Sequence, residues 1–333
     1  MAMRKNTILV LGEQNYGVIH PVTYELLQKA QELAKEMKGS VECLILGPPN
    51  LAVEEIAYHG ADFVYYMEHE CFQQADEFLY KQNIEVVLRR LSPEVVLIGA
   101  TAFGRSLAPR IAGAMNTGLT ADCTDLKVDA NGQLIQIRPA FSDNILAYIR
   151  TSTRPQMATI RYKEFNESIR DSSLPVNITK IKPYITVNPN TEVLSHEPIG
   201  AVDITKVDVI VAAGRGFRKK EDLAMAQNLA DSLGGVVAVS RALVDAGMAQ
   251  SQIQVGYSGH RVKPKIYFAC GISGAPQHLA GMKESDIIIA VNNDASAPIF
   301  KVADIGYVGD IYEILPQLAK RYGKESDYDG KRL

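Results

Sequence analysis

The sequence has few cysteines, no long apolar run and no large excess of charge of either sign. Its four cysteines are scattered without a CxxC pair, which argues against a zinc site, an iron–sulfur cluster or a disulfide framework and favours a reducing compartment. No apolar run approaches the roughly 20 residues that a membrane-spanning helix needs. The net charge is −3 and no basic patch with interleaved aromatic residues occurs, so we expect no nucleic-acid partner.

Targeting and catalytic motifs are also missing. Residues 1–6 lead directly into an apolar run, with no h-region, cleavage site or Arg/Ser-rich transit stretch, so we predict a cytoplasmic protein without direct membrane insertion. The patterns HExxH, GxxxxGK[ST] and the nucleophile elbow do not occur. Nothing pairs the carboxylates of Glu13, Asp122 and Asp125 for acid–base work, and we expect neither catalytic residues nor a metal site.

The first part of the chain alternates short apolar runs with segments of helical period. A length of 333 residues suits two domains. The alternation predicts a parallel sheet with helices on both faces. The predicted strands are Thr7–Leu11, Val41–Leu46, Asp62–Tyr66 and Glu94–Ile98, and the predicted helices are Pro21–Met37, Leu51–Tyr58, Phe72–Leu91 and Gly104–Met115. Three further strands, Leu134–Phe141, Ile145–Thr151 and Met157–Tyr162, are predicted to join the same sheet in antiparallel orientation.

A stretch rich in proline and asparagine, residues 183–200, indicates a linker. We predict an N-terminal α/β domain over 1–190, a linker over 191–204 and a C-terminal domain over 205–333. The predicted strands of the second domain are Val207–Ala213, Val236–Val239, Ile266–Cys270, Asp286–Val291 and Ile305–Val308, and its helices are Glu221–Leu233, Pro276–Met282 and Ile311–Tyr322. The predicted fold class is α/β, with two doubly wound Rossmann-like domains, antiparallel strands added to the first and a parallel sheet in the second.

Every predicted strand of the second domain ends in glycine, polar or charged residues. Ligands of open α/β sheets bind at the carboxyl ends of the strands. The residues at these ends are Gly214–Gly216, Ser240 with Arg241, Gly271–Gly274, Asn292–Asp294 and Asp310. Polar residues at the end of a single strand are common in loops and do not indicate a site, but five such ends together favour a nucleotide-binding crevice.

The segment 271–281, GISGAPQHLAG, is the sharpest local signal. Its glycines allow a phosphate to approach the backbone, and a helix that starts near Pro276 would offer free N–H groups, with the Ser273 hydroxyl as a further donor. The spacing differs from GxGxxG and fits a plain tight turn about equally well. His278 follows one turn into the helix, where a core or surface role is the alternative to ligand contact.

Other residues near the same edge have two possible interpretations. Arg215 and Arg241 would neutralise a pyrophosphate, or are ordinary surface arginines. The loop 255–260 offers glycines, a hydroxyl and an aromatic ring, or is a plain turn. In the first domain, Gly99–Arg105 is similar to a phosphate loop, although a scaffold and subunit-contact role is favoured there.

Taken together, these segments resemble the alpha subunit of electron transfer flavoproteins. The resemblance rests on VAAGRGF at 211–217, AVSRALVDAG at 238–247, QVGYSG at 254–259, CGISGAPQHLAGM at 270–282 and AVNNDASAPIFKVADIGYVGD at 290–310. It covers the whole second domain, and the first agrees more loosely through residues 99–126, GATAFGRSLAPRIAGAMNTGLTADCTDL. It implies a heterodimer with a beta subunit, FAD in the C-terminal domain of this chain, and AMP or a second FAD on the beta subunit.

The resemblance also implies the residues that contact FAD. Arg215, Ser240 and Arg241 would contact FAD, with the Arg241 guanidinium over the flavin ring. The residues that would line the ring are Val255, Gly256, Tyr257 and Ser258, with the Ser258 hydroxyl near N5. Those for the pyrophosphate and ribityl region are Ser273, Gly274, Ala275, Pro276, Gln277 and His278, with His278 near the flavin O2. Those for the adenosine are Asn292, Asp310 and Ile311.

Two positions depart from the commonest family pattern, VGQTGK. Tyr257 stands where glutamine is usual and His260 where lysine is usual, while Ser258 keeps the hydroxyl of the usual threonine. Hydrogen bonds and charges near the ring tune the flavin potential. The departures therefore predict an altered potential with FAD binding retained.

The favoured function is an electron carrier without a substrate of its own. Its partners would be the beta subunit, an acyl-CoA or another flavin dehydrogenase, and a ferredoxin or flavodoxin. An alternative is an NADH-dependent electron-bifurcating complex with a second FAD on the beta subunit, which would be an oxidoreductase. A stand-alone nucleotide-dependent enzyme would need an acid–base pair in the crevice, and a nucleotide sensor would bind a colourless nucleotide.

Overall fold

A computed structural model describes residues 6–140, 145–194 and 203–322 of the chain. The chain divides into two compact units, Met1–Ser195 and His196–Leu333. Residues 195–202 of the predicted linker lie outside the described residues, so the extent of that linker stays a prediction. Part of the proline- and asparagine-rich stretch belongs to the first unit, because the Tyr184 N–H donates to Asn83 Oδ1 at 2.7 Å and the Asn188 amide donates to Asp76 Oδ2 at 2.9 Å.

The first unit is built on a seven-stranded parallel sheet. Its described strands are β1 Ile8–Gly12, β2 Gln14–Asn15, β3 Val18–Ile19, β4 Val41–Gly47, β5 Phe63–Glu68, β6 Val95–Gly99, β7 Leu119–Cys123, β8 Asp125–Val128, β9 Leu134–Ala140, β10 Ile145–Ile149, β11 Gln156–Ile160 and β12 Ile178–Ile181. Its described helices are α1 Val22–Met37, α2 Glu54–Tyr58, α3 Glu77–Leu91 and α4 Ala102–Met115. The sheet order is β12-β5-β4-β1-β6-β11-β7, so the strand order reverses between β1 and β6.

Continuous apolar runs make the central strands of this sheet, because helices cover both of its faces. Ile8 and Val10 of β1 pack on the face that α1 covers, whereas Leu9 and Leu11 pack on the face that α3 and α4 cover. Both helices of the second face start at a side-chain cap. Asp76 Oδ1 accepts from the Leu79 N–H at 2.9 Å, and Thr101 Oγ1 accepts from the Gly104 N–H at 3.0 Å.

The predicted placement of the three later strands was wrong in part. β9 and β10 are antiparallel as expected, but with β8 they form a separate three-stranded sheet. β11 lies inside the main sheet, parallel to both β6 and β7. Burial explains the difference, since all five residues of β11 are buried, as in a central parallel strand, whereas β10 is largely exposed. Phe141, the predicted end of β9, lies outside the described residues.

The second unit contains the predicted five-stranded parallel sheet. Its strands are β13 Val209–Ala213, β14 Val236–Val239, β15 Ile266–Cys270, β16 Ile287–Asn292 and β17 Ile305–Val308, in the order β14-β13-β15-β16-β17. Its described helices are α5 Leu223–Ser232, α6 Arg241–Asp245, α7 Pro276–Leu279 and α8 Ile311–Tyr322. α7 is one turn, shorter than the predicted helix 276–282. Turns follow it, and Gly281 packs closely against Gly256, since a Cβ at Gly281 would lie 2.5 Å from the Gly256 nitrogen.

Two glycines of α4 give a matched test of packing in the first unit. A Cβ at Gly104 would lie 1.9 Å from the Gly99 carbonyl oxygen, whereas a Cβ at Gly113 would meet nothing within 4 Å. We expect Gly104→Ala to lower the free energy of unfolding by about 1–3 kcal/mol or more, because the backbone must shift. Gly113→Ala should raise it by up to about 1 kcal/mol. Urea denaturation monitored by circular dichroism checks both values, and equal effects would contradict the close contact.

Candidate functional site

The strand order of the second unit reverses between β13 and β15, and glycines bring the two following loops into backbone contact there. The Gly216 N–H donates to the Gly271 carbonyl oxygen at 3.1 Å. A Cβ at Gly214 would lie 2.4 Å from that oxygen, and a Cβ at Gly271 would lie 2.8 Å from the Gly216 Cα. Side chains at these positions would push the loops apart, so the floor of the crevice has to be bare backbone.

The loop that follows β15 presents a row of N–H donors. The N–H groups of Ser273, Gly274, Ala275 and Gln277 donate to no acceptor within the described part of the chain. Gly274 has φ +84°, and a Cβ there would lie 2.3 Å from the Ile299 nitrogen, whose N–H donates to the Ser273 carbonyl oxygen at 3.0 Å. α7 is too short for a large macrodipole, so the individual N–H groups are what would bind an anion such as a phosphate.

A second loop, 255–260, packs against α7. The Val255 N–H donates to the Val239 carbonyl oxygen at 2.9 Å, and the Tyr257 N–H donates to the Gln277 carbonyl oxygen at 2.7 Å. Gly256 has φ +143°, which favours glycine. Tyr257 itself is 72% exposed. The loop and the start of α7 therefore form one continuous border of the crevice.

Arg241 and Ser258, predicted separately from the sequence, are in contact. Arg241 Nη1 donates to Ser258 Oγ at 3.2 Å, and Gln254 Nε2 donates to the same oxygen at 3.1 Å. Because Ser258 Oγ accepts both bonds, its own proton stays available for a further acceptor. Asp245 holds the guanidinium from the other side, with Oδ1 3.2 Å from Arg241 Nε. Sequence reasoning missed Gln254 and Asp245, although Asp245 has the i+4 spacing from Arg241 that predicts an ion pair on a helix.

His278 is 7% exposed and lies beneath the loop 255–260. Its Nε2 is 3.0 Å from Tyr267 Oη, whereas its Nδ1 is buried without a hydrogen bond of normal geometry. Burial lowers the pKa of His278 to about 4, against a smaller opposing effect of the Val255 backbone, so the imidazole is neutral at pH 7. Tyr267 was not predicted, although it is the only hydroxyl-bearing residue in β15.

Two other predicted residues follow β13 and β14. The Arg215 side chain is exposed and makes no ion pair within the part of the chain that the structure describes. Ser240 precedes α6, and its N–H donates to the Ala213 carbonyl oxygen at 2.9 Å. Both residues therefore lie at the carboxyl edge of the sheet, as their spacing predicts.

The residues predicted for the adenosine lie at the far end of the same edge and have structural contacts of their own. The Asn292 amide donates to the Ile272 carbonyl oxygen at 2.9 Å and accepts from the Asp294 N–H at 2.9 Å. Asp310 Oδ1 accepts from the Tyr312 N–H at 3.0 Å at the start of α8. The Ile311 side chain is buried in the core, so only its backbone could face a ligand.

The corresponding edge of the first unit is closed. Thr101 caps α4 and donates its hydroxyl proton to Glu13 Oε2 at 2.7 Å, so a carboxylate already lies at the helix N-terminus. The cavity beside it measures about 10 Å³, which is room for about one water. A Cβ at Gly99 would lie 2.9 Å from the Val22 side chain. This geometry favours the scaffold interpretation of residues 99–105 over a phosphate loop.

A larger cavity of about 500 Å³ lies away from the crevice of the second unit, beside the edge strand β14. Its lining is mainly apolar and includes Ile204, Leu223, Val236, Met248 and Ile253. It has no charged lining residue and is not at the carboxyl edge of the sheet, so size alone does not mark the functional site.

These features define a nucleotide-binding α/β protein. They are the backbone contact of the two glycine loops, the open N–H groups, and the guanidinium, hydroxyl and imidazole groups beside them. The electron transfer flavoprotein domain matches residues 8–186, and the electron transfer flavoprotein FAD-binding domain matches residues 203–283. The chain belongs to the electron transfer flavoprotein family. It is an alpha subunit that carries FAD, pairs with a beta subunit and acts in electron transfer.

Curated relatives cover nearly the whole chain. The alpha subunit of the electron transfer flavoprotein from Thermoanaerobacterium thermosaccharolyticum is 42% identical over 323 residues, which are 95% of this chain and 98% of the relative. Protein FixB of Clostridium saccharobutylicum is 42% identical over 316 residues, 93% of this chain and 94% of the relative. The lactate dehydrogenase (NAD(+),ferredoxin) subunit LctC of Acetobacterium woodii is 42% identical over 336 residues, 98% of this chain and 79% of the relative.

Within residues 6–140, 145–194 and 203–322, none of the helices has the length and apolar character required to cross a membrane. The same residues contain no cluster of three or more histidine, cysteine or acidic side chains that could hold a metal ion.

Proposed function

We propose that this alpha subunit passes electrons between an acyl-CoA or another flavin dehydrogenase and a further redox protein, with ferredoxin and flavodoxin as the candidate acceptors. One observation carries this proposal: the Arg241–Ser258 end of the crevice is exposed, so the edge of a ring bound there can face a second protein. FAD supplies the one- and two-electron chemistry when bound, while the residues of the chain hold it and set its potential. The four cysteines are free thiols, which supports the cytoplasmic location that we propose.

The residues at the crevice fit FAD. The open N–H groups of Ser273, Gly274, Ala275 and Gln277 suit the pyrophosphate. The exposed Arg215 can add a positive charge there. The loop Val255 to Ser258, with Arg241 and Ser240, would border the flavin ring. The Nδ1 of His278, which makes no hydrogen bond of normal geometry, would gain a partner in the ring carbonyl O2. Asn292, Asp310 and the Ile311 backbone would border the adenosine at the far end of the edge.

A second candidate function, electron bifurcation, has one specific observation in its favour. The relative from Acetobacterium woodii is named as a subunit of an NAD(+)- and ferredoxin-dependent lactate dehydrogenase, and it matches 98% of this chain. In a bifurcating complex the beta subunit would hold a second FAD and accept a hydride from NADH. The chain itself would carry one FAD in either case.

The number of flavins in the heterodimer separates the two candidates. We expect the complex purified with its beta subunit to be yellow, with one FAD per alpha subunit. One FAD with AMP defeats bifurcation, and two FAD leave it standing. Flavin absorbance after denaturation, with chromatography of the released nucleotides, gives the count. A colourless chain that FAD cannot reconstitute would contradict both candidates.

Arg241→Ala tests the ring end of the crevice. Removing a positive charge beside the ring should lower the flavin reduction potential, on the order of tens of millivolts, because the reduced ring carries negative charge. FAD should remain bound through the backbone donors of the loop 272–277. Lys265→Ala is the matched control, since it removes one exposed cation at the amino edge of the same sheet. Spectroelectrochemical titration measures both, and an unshifted potential in Arg241→Ala would contradict its placement.

For the first unit we propose the role of scaffold and beta-subunit contact. The edge strand β10 exposes apolar side chains on both faces, with Ile145 55%, Leu146 52% and Tyr148 63% exposed. Clustered exposed apolar residues mark interaction surfaces. β10 also pairs only with β9, which leaves its other edge open in the described sheet.

Leu146→Asp and Tyr148→Asp test this surface. A charge buried at the contact should weaken binding of the beta subunit by at least about tenfold, while the flavin spectrum of this chain stays unchanged. Ile169→Asp is the control, because Ile169 is 88% exposed and lies outside the three-stranded sheet. Surface plasmon resonance with immobilised beta subunit measures the affinities. Equal loss in the control, or none in the β10 variants, would refute the proposed contact.

A further inference from the structure

The second unit contains a buried pair of polar side chains, Tyr267 of β15 and His278 of α7. Tyr267 is 0% exposed, and its Oη lies 3.0 Å from His278 Nε2. The ring centroids are 6.2 Å apart at an interplanar angle of 56°, so the contact is an edge-on hydrogen bond and not a stack. This bond joins the central strand of the sheet to the turn that follows the open N–H donors.

The proton of this hydrogen bond belongs to the phenol. Burial raises the pKa of Tyr267 well above its usual value, so the hydroxyl stays protonated. Its hydrogen-bond partner in the described chain is His278 Nε2. If Nε2 carried the proton instead, the phenol O–H would be a buried donor without an acceptor, which proteins avoid.

The other nitrogen of His278 must therefore carry the ring proton. Desolvation keeps the imidazole neutral, with a pKa of about 4, and no charged side chain contributes to that shift. A neutral imidazole has one N–H, and Nε2 is already the acceptor. The Val255 backbone accepts a poorly aligned hydrogen bond from the imidazole, which favours the protonated ring and needs an N–H on the nitrogen that Tyr267 does not contact. Nδ1–H is thus a buried donor without a normal hydrogen bond, located where α7 meets the loop 255–260.

We propose that Tyr267 is a positioning residue that fixes His278 as the Nδ1–H tautomer and so aims a neutral hydrogen-bond donor at the flavin pyrimidine carbonyl. The proposal rests on the proposed placement of FAD in this crevice. His278 would then interact with the flavin through the dipole of a neutral N–H group and not through a positive charge. Tyr267 acts only through His278 and does not touch the cofactor.

The tautomer can be read directly in the FAD-loaded heterodimer. Nitrogen-15 NMR of histidine-labelled protein should show Nδ1 protonated and Nε2 unprotonated for His278, whose signals are assigned by their loss in His278→Leu. Tyr267→Phe keeps the ring and removes the hydroxyl, so we expect a mixture of tautomers, a shifted flavin potential and about two- to tenfold weaker FAD binding. Tyr66→Phe removes a buried hydroxyl from the first unit and should change none of these values.

A double-mutant cycle isolates the route through His278. In His278→Asn the amide presents a donor near the former Nδ1 position and has no tautomer to select. Adding Tyr267→Phe to this variant should therefore shift the flavin potential no further, whereas a purely structural role of Tyr267 would give additive shifts.

Three different results would contradict the proposal, and each can be told from the others. A protonated Nε2 in the wild type overturns the proposal without any substitution, even if Tyr267→Phe does not fold. A second result would be that Tyr267→Phe keeps the wild-type tautomer and flavin potential while His278→Leu shifts the potential. This would overturn the role of Tyr267 and leave the proposed FAD site in place. If His278→Leu leaves the flavin spectrum, potential and affinity unchanged, His278 does not contact the ring. That result would also overturn the proposed role of Tyr267.

Discussion

The site of the second unit depends on one contact, the crossing of two backbone loops at Gly214, Gly216 and Gly271. Because no side chain separates these loops, the loop after β15 comes close enough to present its N–H groups at the reversal of strand order. Most of the donors that this loop leaves open are therefore backbone N–H groups. Such a site tolerates sequence change at exposed positions but not at the glycines, where a Cβ would lie within 2.4–2.8 Å of backbone atoms.

The two units show that topology permits a nucleotide site without creating one. Both sheets reverse strand order at their centre, and in both the following loop leads to a helix. In the first unit, Glu13 and Thr101 place an internal carboxylate at the start of α4, and the cavity beside them has room for about one water. In the second, no such acid intervenes within the described crevice, and the N–H groups stay open.

Hydrogen bonds hold the polar side chains at the Arg241 end of the crevice in fixed positions. Ser258 is held by Arg241 and Gln254, and His278 by Tyr267. Tyr257 and His260 both hold the loop 255–260 through their backbone. The Tyr257 N–H donates to the Gln277 carbonyl oxygen, and the His260 N–H donates to the Gln254 carbonyl oxygen, each at 2.7 Å. These two backbone bonds do not involve the Tyr257 and His260 side chains.

The sequence by itself determined the five strands of the second unit, the class and the cofactor. Buried apolar runs and the glycine-rich ends identified β13, β15 and the loop 271–281, because these signals are local, and the family motifs identified FAD. Only the tertiary structure decided that β11 lies in the parallel sheet and that α7 is a single turn, since periodicity fixes the face of a strand and not its partner. It also decided the partner of His278. A tyrosine within an apolar strand looks like any core residue until folding brings its hydroxyl within 3.0 Å of an imidazole eleven positions away.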